Sequence, residues 1–311
     1  MAAVLVFVDG VGIGERDPAH NPLARRETLL SQFVDGSGTA LPRSGVRRDI
    51  DAALGVPGRP QSATGHTTIL TGENAPALLG RHLLGFPNPA LRALLTRSSI
   101  FQRLRELGRT AALLNAYPVA YLDAVKLPHR PLQGQIEPGI PEKAKRLKPA
   151  AAPFAFGEAG WPVATFDDLR AGAALTHDLT GAMPHRRWPE VPLRTPEEAA
   201  EVLVAQSARV DYAMIDYYLT DDAGHAQDFA AADAALSDLD RFLRRVIERL
   251  PLERVSLFVV SDHGNLEDLR SRNHTLARVP LLVFGPAAGW PLPERLDGLQ
   301  PLMLRAAQEP R

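Results

Sequence analysis

The chain has 311 residues, 45% of them hydrophobic and 23% charged, a globular composition long enough for one large α/β domain or two lobes; disordered and fibrous classes are excluded. Lys and Arg number 35 against 36 Asp and Glu, so a formal charge of -1 offers no global field, and neither nucleic acid nor an anionic membrane is expected as a partner. Cysteine is absent, which removes disulfides and thiolate chemistry; the first apolar run is too short to span a bilayer and has no basic leader, so a cytoplasmic location is expected.

In chain order, short runs rich in Val, Ile, Leu and Phe predict buried strands at Val4 to Val8, Thr110 to Leu114, Tyr212 to Tyr218, Val255 to Val260 and Val279 to Phe284. Before the third strand, Thr195 as cap, Pro196 at the first helical position and Glu198 closing a capping box predict a helix start. After it, Phe229, Ala232, Leu236, Leu239, Leu243, Val246 and Leu250 recur at helical spacing as one apolar stripe. Alternation of strand and helix predicts a three-layer α/β/α core with a largely parallel sheet, formed by residues 1–117 and 193–311. Between them, residues 118–192 hold 11 of the 27 prolines, too many for regular core structure, and read as a small inserted cap. That stretch carries Lys143, Lys145, Arg146, Lys148, Arg186 and Arg187, either a solvated face or a lid that grips an anion. Nothing in the pattern specifies an oligomeric state.

Acids and histidines follow the strands. Asp9 comes after the first, Asp221 and His225 after the third, Asp262 and His263 after the fourth, and His274 shortly later. In an open parallel sheet the carboxyl ends of strands share one edge, where sites are built. An Asp after a strand is commonly a turn former or cap, and a single His a satisfied polar group, but six such side chains at three strand ends are poorly explained as independent caps. Three Asp and three His suffice for two divalent ions such as Mn or Zn with open positions. The string from Gln61 to Gly72 places Ser62, Thr64 and other small residues where a helix begins, a phosphate-binding position at which a hydroxyl facing a divalent ion becomes a nucleophile.

Phe7-Val8-Asp9-Gly10-Val11-Gly12-Ile13-Gly14-Glu15, Ser62-Ala63-Thr64-Gly65-His66, Asp221-Asp222-Ala223-Gly224-His225, Ser261-Asp262-His263-Gly264-Asn265, and His274-Thr275 with Val279-Pro280 together resemble the alkaline phosphatase superfamily, and within it the branch of cofactor-independent phosphoglycerate mutase and phosphopentomutase. The resemblance implies that Asp9, Ser62, Asp262 and His263 hold one metal and Asp221, His225 and His274 the other, with Asp222 as an alternative to its neighbour. It also implies that Ser62, three residues before the Gly-His, is the nucleophile rather than Thr64. Three carboxylates against two dications would leave one net positive charge, an anion-attracting pocket in a neutral protein. Where the phosphoglycerate mutases carry Gly-Gly-Val-His-Ser, this chain has Leu114-Asn115-Ala116-Tyr117-Pro118, without the catalytic histidine.

Other classes fit less well. Glu15 stands where a dinucleotide fingerprint needs its third glycine, and Ser62 lacks the glycine flanks of a hydrolase nucleophile elbow. The sequon at Asn273 has no leader before it, and His274 within it is wanted as a ligand. The expectation is therefore a two-metal enzyme acting on a small phosphorylated metabolite through a phosphoserine at Ser62: a phosphatase first, a phosphomutase second, a non-catalytic metal-binding homologue third.

Overall fold

The structure is a computed structural model and describes residues 2–131 and 147–309. Six strands form one sheet: β1 (Ala2–Val8), β2 (Val46–Ile50), β3 (Ala111–Leu113), β4 (Tyr212–Tyr217), β5 (Val255–Val260) and β6 (Val279–Phe284), in the order β2-β6-β5-β1-β4-β3. Five are the expected ones. β1 lies between β4 and β5 and is parallel to both, and β3 is parallel to β4. β6 runs antiparallel to β5, and β2 antiparallel to β6. β2 was not expected, because Val-Arg-Arg-Asp-Ile has no apolar run; as an edge strand it needs only Ile50 buried and keeps its charges in water.

Alternation along the strands divides the core. Ala3, Leu5 and Phe7 of β1 face one helical layer, which includes α1 (Ser62–Thr71), α2 (Pro89–Ser98), α3 (Ala151–Glu158) and a final helix at Leu299–Gln308. Val4, Val6 and Val8 face the other, built on α4 (Pro196–Ser207) and α6 (Phe229–Arg249), with α5 (Leu219–Ala226) between β4 and α6. The fold is thus the expected three-layer arrangement with a mostly parallel sheet. α4 starts as predicted: the Glu198 amide donates to Thr195 Oγ1 at 3.2 Å, and the Thr195 amide to Glu198 Oε2 at 2.7 Å. The predicted stripe is the buried face of α6.

Of the stretch 118–192, Lys143, Lys145 and Arg146 lie outside the described residues. Leu122, Ala152, Ala155 and Phe156 join the same apolar cluster as Ile69, Leu70 and Tyr212, while Phe166, Leu169, Ala174 and Val191 make a smaller one. Among the described residues no helix is long and apolar enough to cross a membrane.

Candidate metal centre

The registers of β4, β1 and β5 bring their carboxyl ends level. Tyr217 accepts a 2.9 Å hydrogen bond from the Asp9 amide, and Ser261, just past β5, accepts one of 2.8 Å from the Val11 amide through its hydroxyl. Because β6 is antiparallel, its first residue rather than its last lies at this edge, which delivers His274 from the segment leading into it. α1 begins at Ser62, with Gln61 supplying no side-chain cap, and seats on β1 through His66, whose ring stacks on Phe7 at 4.0 Å. Gly65 lets this helix approach: a Cβ there would stand 2.9 Å from Asp262 Cβ and 3.0 Å from its carbonyl.

All seven candidate residues meet. Ser62 Oγ is 2.9 Å from His263 Nε2, which is 3.2 Å from Asp9 Oδ1 and 3.5 Å from Asp262 Oδ2. On the other side, Asp221 Oδ2 is 3.1 Å from His225 Nε2 and Asp221 Oδ1 is 3.7 Å from His274 Nε2. Ligand atoms of Asp9, Asp262 and His263 lie within 4.8 Å of one another, as do those of Asp221, His263 and His274. His263 and His274 stack at 3.7 Å and join the two halves. Asp222 lines the adjoining cavity and is in neither group.

The donor set fits divalent ions. Asp9 Oδ1, both oxygens of Asp262 and His263 Nδ1 are buried without a hydrogen-bond partner, an expensive condition for carboxylates unless a cation sits among them. Burial pushes Asp9 up to about 7, and burial together with Asp9 and Asp221 pushes Asp262 well above the usual carboxylate range. Asp221 is raised by burial and then by Asp9. Burial lowers His263 and His274 to about 4, which keeps both imidazoles neutral and able to donate a lone pair. His225 Nδ1 donates to the Arg272 carbonyl at 2.7 Å and His274 Nδ1 to that of Pro60 at 3.0 Å. The second bond fixes the tautomer of the neutral His274 ring and leaves its Nε2 lone pair facing His225 Nε2 at 3.2 Å.

Supporting residues escaped the sequence reading. Asn265 Nδ2 donates to Asp221 Oδ1 at 2.7 Å, and buried Glu267 accepts from the amides of Gly12 at 2.9 Å and Asn265 at 2.8 Å and from the Thr275 hydroxyl. Thr220 donates to the Asp9 carbonyl at 2.6 Å. Their signal was only that they stand inside or beside the motifs. Below the centre, Asp216 accepts from the Tyr218 hydroxyl at 2.8 Å, and its other oxygen is 3.7 Å from His66 Nε2. Leu114 to Pro118 carries no histidine of its own, yet Asn115 is 2.8 Å from Nδ1 of His177, whose ring stacks on Tyr218.

A cavity of about 400 Å³ opens onto Asp9, Ser62, Asp221, Asp222 and His225. Another of about 460 Å³ lies at the opposite edge of the sheet, by Ala2 and Val255, and has no carboxylate or imidazole in its lining. Only the first can engage the centre. Lys148, Arg186 and Arg187 do not line it.

With this geometry in view, comparison with known proteins finds matches to part of the chain. Residues 192–298 match the metalloenzyme superfamily. Within the matched segment fall Asp221, His225, Asp262, His263 and His274. Similar curated proteins include a 2,3-bisphosphoglycerate-independent phosphoglycerate mutase of Cereibacter sphaeroides, 32% identical over 127 residues, which are 38% of this chain and 25% of that protein. A phosphopentomutase of Sinorhizobium fredii is 36% identical over 120 residues, 39% of this chain and 27% of that protein. The matched stretch therefore spans only about a quarter of these relatives' length. Among solved structures, alkaline phosphatase from the Antarctic bacterium TAB5 superposes with a TM-score of 0.53 at 10% identity, covering 100% of this chain and 98% of that one. The PH0037 protein from Pyrococcus horikoshii gives 0.56 at 15%, covering 98% and 96%. The resemblance carried by the five motifs and the alkaline phosphatase-like fold it implies are both borne out.

Proposed function

We propose that this chain is a two-metal phosphoryl-transfer enzyme that hydrolyses a small phosphomonoester through a phosphoserine at Ser62. The observation that carries the reading is the position of the Ser62 hydroxyl, 2.9 Å from His263 Nε2 at the uncapped start of a helix, beside Asp9 Oδ1 and both oxygens of Asp262, which are buried without hydrogen-bond partners. Asp9, Ser62, Asp262 and His263 would hold one ion, and Asp221, His225 and His274 the other; Asp and His suit Mn and Zn alike. Such ions, when bound, polarise a phosphoryl oxygen and ease loss of the serine proton. The first-turn amides of α1, free of intrahelical partners, orient the phosphoryl oxygens. Ser62 Oγ forms a bond to phosphorus as the bond to the substrate's alcohol breaks, and the alcohol departs with a proton. Water then adds to the phosphoserine, releases inorganic phosphate and returns a proton to Ser62. A cytoplasmic setting belongs to the same proposal, supported by the cysteine-free composition.

A phosphomutase is the second reading, favoured by the names of the curated relatives. It differs only in the acceptor, a second hydroxyl of the same substrate in place of water. Hydrolysis is preferred because the segment Leu114 to Pro118 lacks the histidine that the mutases place there. The test is phosphate release by purified protein with Mn, with Zn and with chelator, across pentose phosphates, phosphoglycerates and simple monoesters. Metal-dependent release supports the phosphatase, and isomerised substrate without release overturns it in favour of the mutase. Ser62→Ala is expected to fold and bind both ions yet lose transfer; full activity in that variant removes Ser62 from the mechanism.

A further inference from the structure

Resting on the phosphomonoester reading above, we propose that the alcohol portion of the substrate is apolar or aromatic and that Leu84 and Phe86 select it. The cavity beside Ser62 has two unlike walls. One is the polar face of Asp9, Ser62, Asp221, Asp222 and His225; the other is Leu84, Gly85, Phe86, Ala150 and Ala151, with Tyr218. At about 400 Å³ it has the size of a small-molecule site, with room beyond a phosphoryl group.

Leu84 and Phe86 are 62% and 50% exposed, an unfavourable placement for two large apolar side chains that an apolar ligand against them would relieve. Their loop is held in place. The Leu83 amide donates to Thr64 Oγ1 at 3.2 Å, on the helix that begins with Ser62, and the His82 ring bonds the Val56 carbonyl at 3.2 Å. Leu83 also packs against the cluster of Ala63, Leu91 and Leu94. The backbone just before both apolar side chains is thus anchored to the helix that begins with the nucleophile. At Gly85, between them, no atom lies within 4 Å of where a Cβ would be, so the space above this wall is open.

Charge points the same way. Among the described residues that line the cavity there is no Lys or Arg, and Asp222 adds a carboxylate. A second anionic group on the substrate, such as the carboxylate of a phosphoglycerate, finds no side-chain cation among the described lining residues, whereas an uncharged apolar group meets a matching surface.

The experiment compares metal-loaded protein on benzyl phosphate, glycerol 3-phosphate and 3-phosphoglycerate, all esters of aliphatic alcohols. The expected order of kcat/KM places benzyl phosphate at least tenfold ahead, chiefly through KM. In Phe86→Ala and Leu84→Ala the ratio of kcat/KM for benzyl phosphate to that for glycerol 3-phosphate should fall about tenfold, as loss of an apolar contact predicts. Such a ratio does not depend on how much of a variant is folded. Equal rates on the three esters, or an unchanged ratio in both variants, overturns the selection by Leu84 and Phe86 and leaves the phosphatase standing. Release from none of them overturns the phosphatase reading instead. Calorimetric titration with benzylphosphonate and methylphosphonate then still decides selection, since equal affinities refute it and tighter benzylphosphonate binding that weakens in Phe86→Ala upholds it.

Discussion

Asp221 and Asp222 are neighbours on one helical turn, but only Asp221 has its carboxylate between two imidazoles and an Asn265 amide. Asp221→Asn is therefore expected to lose one of two bound ions, and Asp222→Asn to keep both, as measured by metal content after gel filtration. Loss of metal in the second variant alone would reverse the assignment. Protons compete for the same site. Asp9 sits near 7, far above its ordinary 3.8, and so carries a proton in the metal-free protein below neutrality, while His263 and His274 at about 4 do not. Metal binding must displace that proton, so affinity should rise from pH 5 towards 7 by about tenfold per unit for each proton released. A pH-independent affinity across that range would show that Asp9 is not a ligand. Asp9, Asp221, His225, Asp262 and His263 were legible in the sequence because each follows a strand, and His274 because it leads into one. Asn265 and Glu267 were not, because residues that hold other residues carry no spacing signature of their own.

At the scale of elements, the turn after β1 sets the distance between the two halves of the centre. Gly10 has φ +72°, and a Cβ there would stand 2.5 Å from Asp221 Oδ1 and 2.9 Å from Asp221 Cα. Gly10→Ala combines a left-handed backbone cost of about 1–2 kcal/mol with a clash against a ligand. The expected outcome is a lower unfolding midpoint together with weaker metal binding; a stable variant with unchanged affinity would mean that the turn and Asp221 move freely. Four of the five apolar strands were readable because they are central and buried on both faces, and β3, at an edge, because Ala111 and Leu113 are buried. Strand direction was not: Val279 to Phe284 has the same composition in either orientation, and the link from β5 through the His274 segment is long enough for either. β2 left no trace because an edge strand with one buried residue looks like a loop.

Across the whole molecule, the centre is a costly electrostatic feature of the fold, since Asp9 and Asp262 are buried with unpartnered oxygens. Divalent ions held by these residues would bind the folded chain and have no such site in the unfolded one, so they should stabilise it. At free metal 100-fold above Kd the gain is about 2.7 kcal/mol per site. Thermal unfolding with Mn or Zn should show a raised midpoint that chelator reverses, and Asp262→Asn should blunt the rise. A midpoint indifferent to both metals would argue against a metal centre.

β1 is seven residues of unbroken apolar sequence, and both of its neighbours come from beyond residue 211. During synthesis the strand therefore emerges with two unsatisfied edges, and it stays so until most of the chain has been made. A nascent or refolding chain exposes a sticky segment for as long as those late partners are missing. Recovery from denaturant should accordingly fall with protein concentration, and fragments that end before Tyr212 should aggregate rather than fold.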